Sequence, residues 1–268
     1  MKPDTLRVDQ LHVAIFPDQE AAGRAQAEYV REKLVEAIRE KGDANVILAT
    51  GNSQLAFLRA LCALPGIEWR KVRIFHMDEY VGISDAHPAS FVRYIREKVA
   101  DRVGPLAFYP MRGDAADPQA VCDEYEELLR RYPADLCCMG IGENGHLAFN
   151  EPHDANFWDP RWVRRITLDE RSRRQQVGEG HFATLDEVPK EAITLTIPAL
   201  LAARHVVVQV PEARKAEAVN RALFGPISNA CPASILRTCA HARLYLDRES
   251  GRDVLARFAG GNPAPEGH

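Results

Sequence analysis

The sequence predicts an α/β fold, a Rossmann-like open and mainly parallel sheet with helices on both faces. Short apolar runs rich in branched and aromatic residues, typical of buried strands, alternate in the first half of the chain with amphipathic runs at helical spacing. Strands separated by helices need crossover connections, which are typical of parallel sheets. Three polar clusters begin where predicted strands end, and open α/β sheets bind their ligands at that edge.

The elements follow one another in a regular order. The first strand, Leu11–Phe16, is stopped by Pro17, and the next helix repeats apolar residues at helical spacing from 18 to 41, where Gly42 ends it. The remaining predicted elements are strands at 45–49, 72–75, 106–109, 135–139, 163–168, 205–210 and 243–246, helices at 55–62, 88–99, 118–131 and 212–224, and a helical turn at 233–237.

Composition excludes several classes of function. The 268 residues are 46% hydrophobic and 27% charged, with a formal net charge of −4, so non-specific binding to nucleic acid or to an anionic membrane is not expected. The uncharged stretch 192–203 contains Pro198 and is shorter than the roughly 20 residues of a transmembrane helix. The first residues lack the apolar segment of a secretion signal, and we expect a cytoplasmic protein.

We expect one domain over 1–259, because no linker or change in composition divides this range. The segment 161–187, dense in Arg, Gln and Glu, is a candidate for a mobile flap, and the polar, Gly- and Pro-containing tail 260–268 is predicted to be disordered. The six cysteines include no C-x-x-C pair and are interpreted as small buried hydrophobic residues. The sequence leaves the oligomeric state open, a homo-oligomer included.

The first polar cluster is Thr50, Gly51, Asn52 and Ser53, between a predicted strand and a predicted helix. Such residues are common in ordinary strand-to-helix turns, where Gly adopts a positive φ and Ser or Asn caps the helix. In the functional interpretation, the turn amides, the helix N-terminus and the hydroxyl groups bind a phosphate or carboxylate. The G-x-x-x-x-G-K-[ST] motif does not occur, so a nucleotide P-loop is not indicated.

The second cluster is the pair Asp78 and Glu79, directly after a predicted buried strand. Adjacent carboxylates at this point are equally consistent with a helix cap or a solvated surface. Alternatively, one carboxylate lies in a cleft and acts as a base in proton transfer, with its pKa adjusted by partial desolvation.

The third cluster, from Gly140 to Pro152, is the most specific. Three glycines allow the backbone to approach a ligand, and His146 and Glu151 lie five residues apart. A carboxylate beside an imidazole fixes its tautomer and suits it to acid–base chemistry near neutral pH. A buried structural histidine and a metal site are the alternatives, but no further residue at ligand spacing completes a metal site, and none is predicted.

These motifs resemble the glucosamine/galactosamine-6-phosphate isomerase family, which includes the glucosamine-6-phosphate deaminases. The resemblance covers about residues 10–250 and rests on Met77-Asp-Glu-Tyr-Val-Gly82 with His87-Pro88 and Ser90-Phe91, on 140–152, on Arg214-Lys215-Ala216 and on Pro232-Ala-Ser-Ile-Leu236.

The resemblance implies cofactor-free isomerisation and deamination of glucosamine 6-phosphate, a small-molecule substrate, to fructose 6-phosphate and ammonia. It implies that Asp78 moves a proton between C2 and C1 and that His146, together with Glu151 and Asn144, opens the pyranose ring. The implied substrate-binding residues are Thr50, Gly51, Asn52, Ser53, Glu79, Gly142 and Lys215. For Lys215, a solvated position at a helix end is the alternative.

The chain departs from the family pattern at several positions. Many members carry Asp where this chain has Asn144, which can orient His146 by a hydrogen bond but cannot take up a proton. The phosphate turn has the sequence Gly-Asn-Ser-Gln instead of the commoner Gly-Gly/Ser-Thr/Ser-Pro. The phosphate-binding arginine of the family's flap has no clear match, and Arg173 and Arg174 are candidates. The segment after Pro152 lacks the pattern linked to allosteric activation, and the sequence leaves open whether an activator exists.

Two alternative functions are less consistent with the motifs. A 6-phosphogluconolactonase tends to have Arg after the Asp-Glu pair, where this chain has Tyr80, and lacks the Asn-Glu-Pro sequence found here after Gly-His. A non-catalytic sugar-phosphate sensor, such as the effector domain of a transcription regulator, would keep the fold. However, no helix-turn-helix pattern fits at either end, and the candidate catalytic residues are all present.

Overall fold

The computed structural model describes residues 3–178 and 180–259, and the predicted tail 260–268 lies outside the described residues. The strands are β1 (Asp4–Val8), β2 (Leu11–Phe16), β3 (Ala44–Leu48), β4 (Val72–His76), β5 (Asp78–Tyr80), β6 (Ala107–Tyr109), β7 (Leu136–Met139), β8 (Val163–Thr167), β9 (Glu191–Leu195), β10 (His205–Val210) and β11 (Ala242–Asp247). The α-helices are α1 (Gln19–Lys41), α2 (Leu55–Ala63), α3 (Phe91–Ile95), α4 (Asp101–Val103), α5 (Pro118–Arg131), α6 (Glu170–Gly178), α7 (Ile197–Leu201), α8 (Ala216–Phe224) and α9 (Arg252–Ala259).

The main sheet of the described residues has eight strands in the order β1-β2-β11-β10-β7-β3-β4-β6. All neighbouring strands in it are parallel except β1 and β2. A second, antiparallel sheet has the order β5-β9-β8. The predicted fold class, an open and mainly parallel α/β sheet, is confirmed.

The core lies on both faces of the main sheet, because successive residues of a strand point to opposite sides. On β3, Val46 and Leu48 pack in the cluster formed with α1 and α2, whereas Ile47 packs in the cluster formed with α5, α7 and α8. All five residues of β3 are buried. This explains why central strands such as β3 and β7 are mostly apolar in sequence.

Local signals set the ends of several helices. The side chain of Asp18 accepts a hydrogen bond from the backbone N–H of Ala21, which caps α1, and Gly42 ends this helix with a φ of 89°. Asp117 caps α5 in the same way, and Pro118 occupies its first turn. The predicted bounds of α5 and of the strands β2 and β10 agree with the structure.

Other elements differ from the prediction. The predicted helix at 88–99 begins as α3 at Phe91, because Ser90 caps it, and continues through a π-helical turn at Arg96–Ala100 into α4. The predicted helix at 212–224 begins with a 3-10 turn at Ala213–Lys215 before α8. The prediction omitted β1, β5, β9, α6, α7 and α9.

The uncharged stretch 192–203 forms most of β9 and all of α7, with Pro198 in the first turn of that helix. Among the described residues, no helix combines the length and apolar character needed to cross a membrane. The candidate flap at 161–187 contains β8, α6 and a 3-10 turn at Leu185–Glu187. That this segment moves, and that 1–259 is a single domain, stay predictions.

Four adjacent strands, β10, β7, β3 and β4, end at the same edge of the main sheet. The chain continues from β3 to β4 on one side of β3, whereas β7 and β10 lie on its other side. This reversal of strand order opens a crevice at the carboxyl edge, where α/β sheets bind their ligands.

Candidate active site

One cavity lies at this carboxyl edge and collects most of the predicted site residues. Those that line it are Thr50, Gly51, Asn52, Ser53, Asp78, Gly142, His146 and Lys215. They come from the segments that follow β3, β4, β7 and β10. The three polar clusters, far apart in sequence, therefore meet around one cavity.

The turn after β3 is held in a fixed conformation. Gly51 has a φ of 98°, a conformation that favours glycine, and its carbonyl oxygen accepts a hydrogen bond of 2.8 Å from the hydroxyl of Tyr94. Asn52 and Ser53 begin the 3-10 turn Asn52–Gln54 that leads into α2. The N–H groups at the start of a helical segment have no intrahelical acceptors, so this turn is suited to bind an anion.

Asp78 is buried at the start of β5, and only 7% of its surface is exposed. Its Oδ1 atom has no hydrogen-bond partner among the described residues. Burial raises the pKa of the Asp78 carboxyl to about 8, with a further contribution from the charge of Glu79. A carboxyl group with this pKa can exchange protons near neutral pH.

The structure does not bring Glu79 to the cavity, although the resemblance implied substrate contact. Its two carboxylate oxygens accept hydrogen bonds from the Ser90 hydroxyl and from the backbone N–H groups of Tyr80, Phe91 and Val92. These donors lie mainly at the start of α3. Glu79 therefore anchors this helix, and Phe91, which follows the cap, lines the cavity.

The loop after β7 holds the imidazole of His146 at the cavity. The N–H of Gly142 donates to the carbonyl of His146 at 2.9 Å, and the N–H of Gly145 donates to the carbonyl of Gly142 at 3.0 Å. Gly145 has a φ of 91° and closes this tight turn. The imidazole ring packs directly against the α-carbon of Gly142, which explains the glycine at this position.

Glu151 and Asn144 lie behind His146 instead of lining the cavity, and both are buried. Nδ1 of His146 is 3.3 Å from Oε1 of Glu151. The amide Nδ2 of Asn144 donates to Oε2 of Glu151 at 2.5 Å, and its Oδ1 accepts from the backbone N–H of His146 at 3.0 Å. The hydroxyl of Ser172 donates to Oε1 of Glu151.

These contacts keep Glu151 ionised. Burial raises the pKa of its carboxyl, but the nearby His146 imidazole and the hydrogen-bond donors Ser172 and Asn144 outweigh burial and lower the pKa to about 2. Glu151 is therefore a permanent carboxylate near neutral pH. Because the Asn144 amide does not titrate either, the acid–base group of this trio that faces the cavity is His146.

Lys215 enters the cavity from the turn between β10 and α8, and 5% of its surface is exposed. The preceding Glu212 has a φ of 79°, an uncommon conformation for a residue with a side chain. Arg214, beside Lys215, also lines the cavity. Its Nη1 atom lies 2.9 Å from Oε1 of Glu143, and its Nε atom lies 2.7 Å from Oε2 of Glu212. The buried position contradicts the alternative of a solvated Lys215.

Sequence reasoning missed several residues of the cavity wall. Gln176 and His181 of the candidate flap contribute to it, as does Ala148, which has a φ of 50°. The candidate arginines do not line it: Arg173 donates to backbone carbonyl groups, and Arg174 pairs with Glu170. Val177 is the only apolar side chain in 170–178, so the sequence there has no helical spacing of apolar residues that would have pointed to Gln176. In the part of the chain that the structure describes, no three His, Cys, Asp or Glu side chains form a candidate metal site.

The sequence profile of one family, described as "Glucosamine-6-phosphate isomerases/6-phosphogluconolactonase", matches residues 17–246. The chain belongs to this family. Among its relatives, a glucosamine-6-phosphate deaminase of Exiguobacterium sibiricum is 35% identical over 222 residues, which cover 80% of this chain and 83% of that protein. A glucosamine-6-phosphate deaminase of Streptomyces coelicolor is 34% identical over 243 residues, or 88% of this chain and 90% of that protein.

Solved structures of the family share the fold of this member. A monomeric glucosamine-6-phosphate deaminase is 29% identical, with a TM-score of 0.83 and coverage of 90% of this chain and 98% of that one. A 6-phosphogluconolactonase from Shewanella baltica is 20% identical, with a TM-score of 0.70 and coverage of 90% and 97%. The family predicted from the motifs is confirmed.

Proposed function

We propose that this family member converts glucosamine 6-phosphate and water to fructose 6-phosphate and ammonia in amino-sugar catabolism, including the breakdown of N-acetylglucosamine. One observation carries the proposal: Asp78 and His146 line the same cavity as the anion-binding turn at 50–53 and Lys215. The names of the relatives, which are 33–35% identical in several bacteria, support the same activity.

The phosphate group is bound by the turn at 50–53 and by Lys215. The turn offers backbone N–H groups and the hydroxyls of Thr50 and Ser53, and Lys215 supplies a positive charge. Hydrogen bonds from a cation to a phosphate are stronger than those between neutral groups, particularly where water is excluded. This arrangement fixes one end of the sugar and directs the other end towards Asp78 and His146.

Ring opening requires one proton to be added to O5 of the pyranose and one to be removed from the O1 hydroxyl. His146 carries out both transfers through Nε2, because its other ring nitrogen, Nδ1, faces Glu151. Glu151 and Asn144 hold the orientation of the imidazole. The products of this step are the open-chain aldehyde and an unchanged imidazole. Glu151 and Asn144 are positioning residues in this scheme, since neither lines the cavity.

Isomerisation begins when the ionised Asp78 removes the proton from C2 while the ammonium group of the substrate passes a proton to O1, which gives an enolamine between C1 and C2. The same carboxyl returns a proton to C1, so that C2 becomes an imine. Water then adds to C2 and ammonia leaves, which gives the C2 ketone of fructose 6-phosphate. The reaction consumes one water and leaves Asp78 ready for the next cycle.

An assay of the purified protein tests this proposal. We expect glucosamine 6-phosphate to yield ammonia and fructose 6-phosphate in equal amounts, and 6-phosphogluconolactone to be hydrolysed no faster than in buffer. The variant Asp78→Asn controls for contaminating activity, since its ammonia release should fall by about 100-fold or more. Hydrolysis of the lactone without ammonia release from the amino sugar would overturn the proposal in favour of a lactonase.

A further inference from the structure

The hydroxyl of Ser172 connects α6 to the carboxylate behind His146. Ser172 is buried, with 4% of its surface exposed, and it donates to Oε1 of Glu151. The same oxygen atom lies 3.3 Å from Nδ1 of His146. Two groups from different parts of the chain therefore share one carboxylate oxygen.

Neighbouring contacts fix the position of Ser172. Oδ1 of Asp169 accepts a hydrogen bond of 2.6 Å from the backbone N–H of Ser172, at the start of α6. The guanidinium of Arg173 donates to the carbonyl groups of Leu185 at 2.6 Å and Val188 at 2.9 Å. The first turn of α6 is thus attached both to the segment before it and to the segment after it.

The same helix also reaches the cavity. Gln176, which lines the cavity, follows Ser172 by four residues, and residues at this spacing lie on one face of a helix. A single helical face therefore contacts Glu151 at one point and the proposed substrate site at another.

We propose that Ser172 is a positioning residue for ring opening, which holds Glu151 in the orientation that directs the His146 imidazole at the sugar. This role rests on the proposed function. The Ser172 hydroxyl fixes Oε1 in place, while Asn144 fixes Oε2, so the carboxylate cannot rotate away from Nδ1 of His146. Through α6, the position of the candidate flap then sets the geometry of the acid–base pair.

The test compares Ser172→Ala with Ser172→Thr, which keeps the hydroxyl, and with Thr184→Ala, a hydroxyl deletion at an exposed position of the same segment. For Ser172→Ala we expect kcat on glucosamine 6-phosphate to fall by about tenfold and KM to change by less than about threefold, because the lost hydrogen bond to a charged group acts on the chemical step. Ser172→Thr should restore kcat to within about threefold of the wild type.

A second substrate separates positioning from a general structural effect. The 4,5-dideoxy analogue of glucosamine 6-phosphate lacks the hydroxyls that close a furanose or pyranose ring, so its turnover needs no ring opening. Ser172→Ala should leave turnover of this analogue within about twofold of the wild type. Equal slowing of both substrates, or a Ser172→Ala variant with unchanged kcat on the cyclic substrate, would overturn the proposal.

One readout is independent of the proposed function. The ¹⁵N chemical shift of the His146 ring Nδ1, measured at fixed pH in the folded variants, should change in Ser172→Ala and not in Thr184→Ala. If wild-type protein releases no ammonia while this shift changes, the proposed function fails but the contact through Glu151 stands. An unchanged shift overturns the positioning role in either case.

Discussion

The imidazole of His146 lies so close to Gly142 that a β-carbon at position 142 would be 2.2 Å from its Cε1 and Nε2 atoms. Real β-carbons do not approach other heavy atoms to this distance, so a larger residue must displace the ring. The glycine is therefore part of the mechanism that orients His146. It acts with the backbone hydrogen bond between Gly142 and His146 that closes the loop.

We expect Gly142→Ala to lower kcat by at least about 100-fold, because the displaced imidazole can no longer reach the sugar oxygens. Gly178→Ala is the matched control, since a β-carbon there has no neighbour within 4 Å among the described residues. Steady-state kinetics with circular dichroism as a folding check would measure the effect. Wild-type kcat in folded Gly142→Ala would contradict the assigned position of the ring.

Asp78→Asn should lower kcat by about 100-fold or more and leave the Kd for glucosamine 6-phosphate within about threefold. A proton shuttle acts in the transition state and contributes little to ground-state affinity. Kinetics and isothermal titration calorimetry would measure the two quantities, with the exposed Asp114→Asn as control. A variant that kept more than about a tenth of wild-type kcat, equivalent to ~1.4 kcal/mol of barrier, would exclude this role for Asp78.

The Asp78 carboxyl should titrate near pH 8, because burial and the charge of Glu79 raise its pKa. The ¹³C resonance of this carboxyl, assigned by its loss in Asp78→Asn, would measure the midpoint. A pKa raised in the folded state means that stability decreases as pH increases from about 4 to about 8, so Asp78→Asn should raise Tm at pH 9 relative to the wild type but not at pH 4. A midpoint below pH 5 would contradict this prediction.

His146→Gln should slow turnover of cyclic glucosamine 6-phosphate by about 100-fold or more, because glutamine cannot exchange a proton with O5 and O1. Turnover of the 4,5-dideoxy analogue should change by less than about threefold, since that substrate is already open. The two rates, measured by ammonia release, give the comparison. Equal slowing of both substrates would assign His146 to a step after ring opening.

The elements that sequence predicted well have signals close to them in the chain. Asp117 and Pro118 start α5, and Asp18 and Gly42 enclose α1, so capping and spacing alone identify these helices. In contrast, β5 has three residues and becomes a strand by pairing with β9, where Asp78 lies opposite Thr194. No local pattern encodes a partner more than a hundred residues away.

The candidate site was predicted in part. Asp78 and Glu79 are adjacent, and the resemblance placed both at the substrate, Asp78 as the proton carrier and Glu79 as a binding residue. In the structure they are successive residues of β5, whose side chains point to opposite faces, so Asp78 meets the cavity while Glu79 binds the start of α3. The sequence did not identify Gln176 and Ser172 as site residues, because their contacts with the cavity and with Glu151 depend on where α6 packs in the tertiary structure. Cytoplasmic location stays a prediction, and the oligomeric state stays open.

The sequence by itself determined the fold class, the family and the meeting of three polar clusters, because parallel strands end at a common edge and their loops must approach one another there. The tertiary structure decided which side chains line the cavity, which ones hold those side chains in place by hydrogen bonds, and how deeply each carboxyl group is buried. Those properties depend on side-chain direction and on contacts between distant segments, such as that between Ser172 and Glu151, and neither residue type nor spacing specifies them.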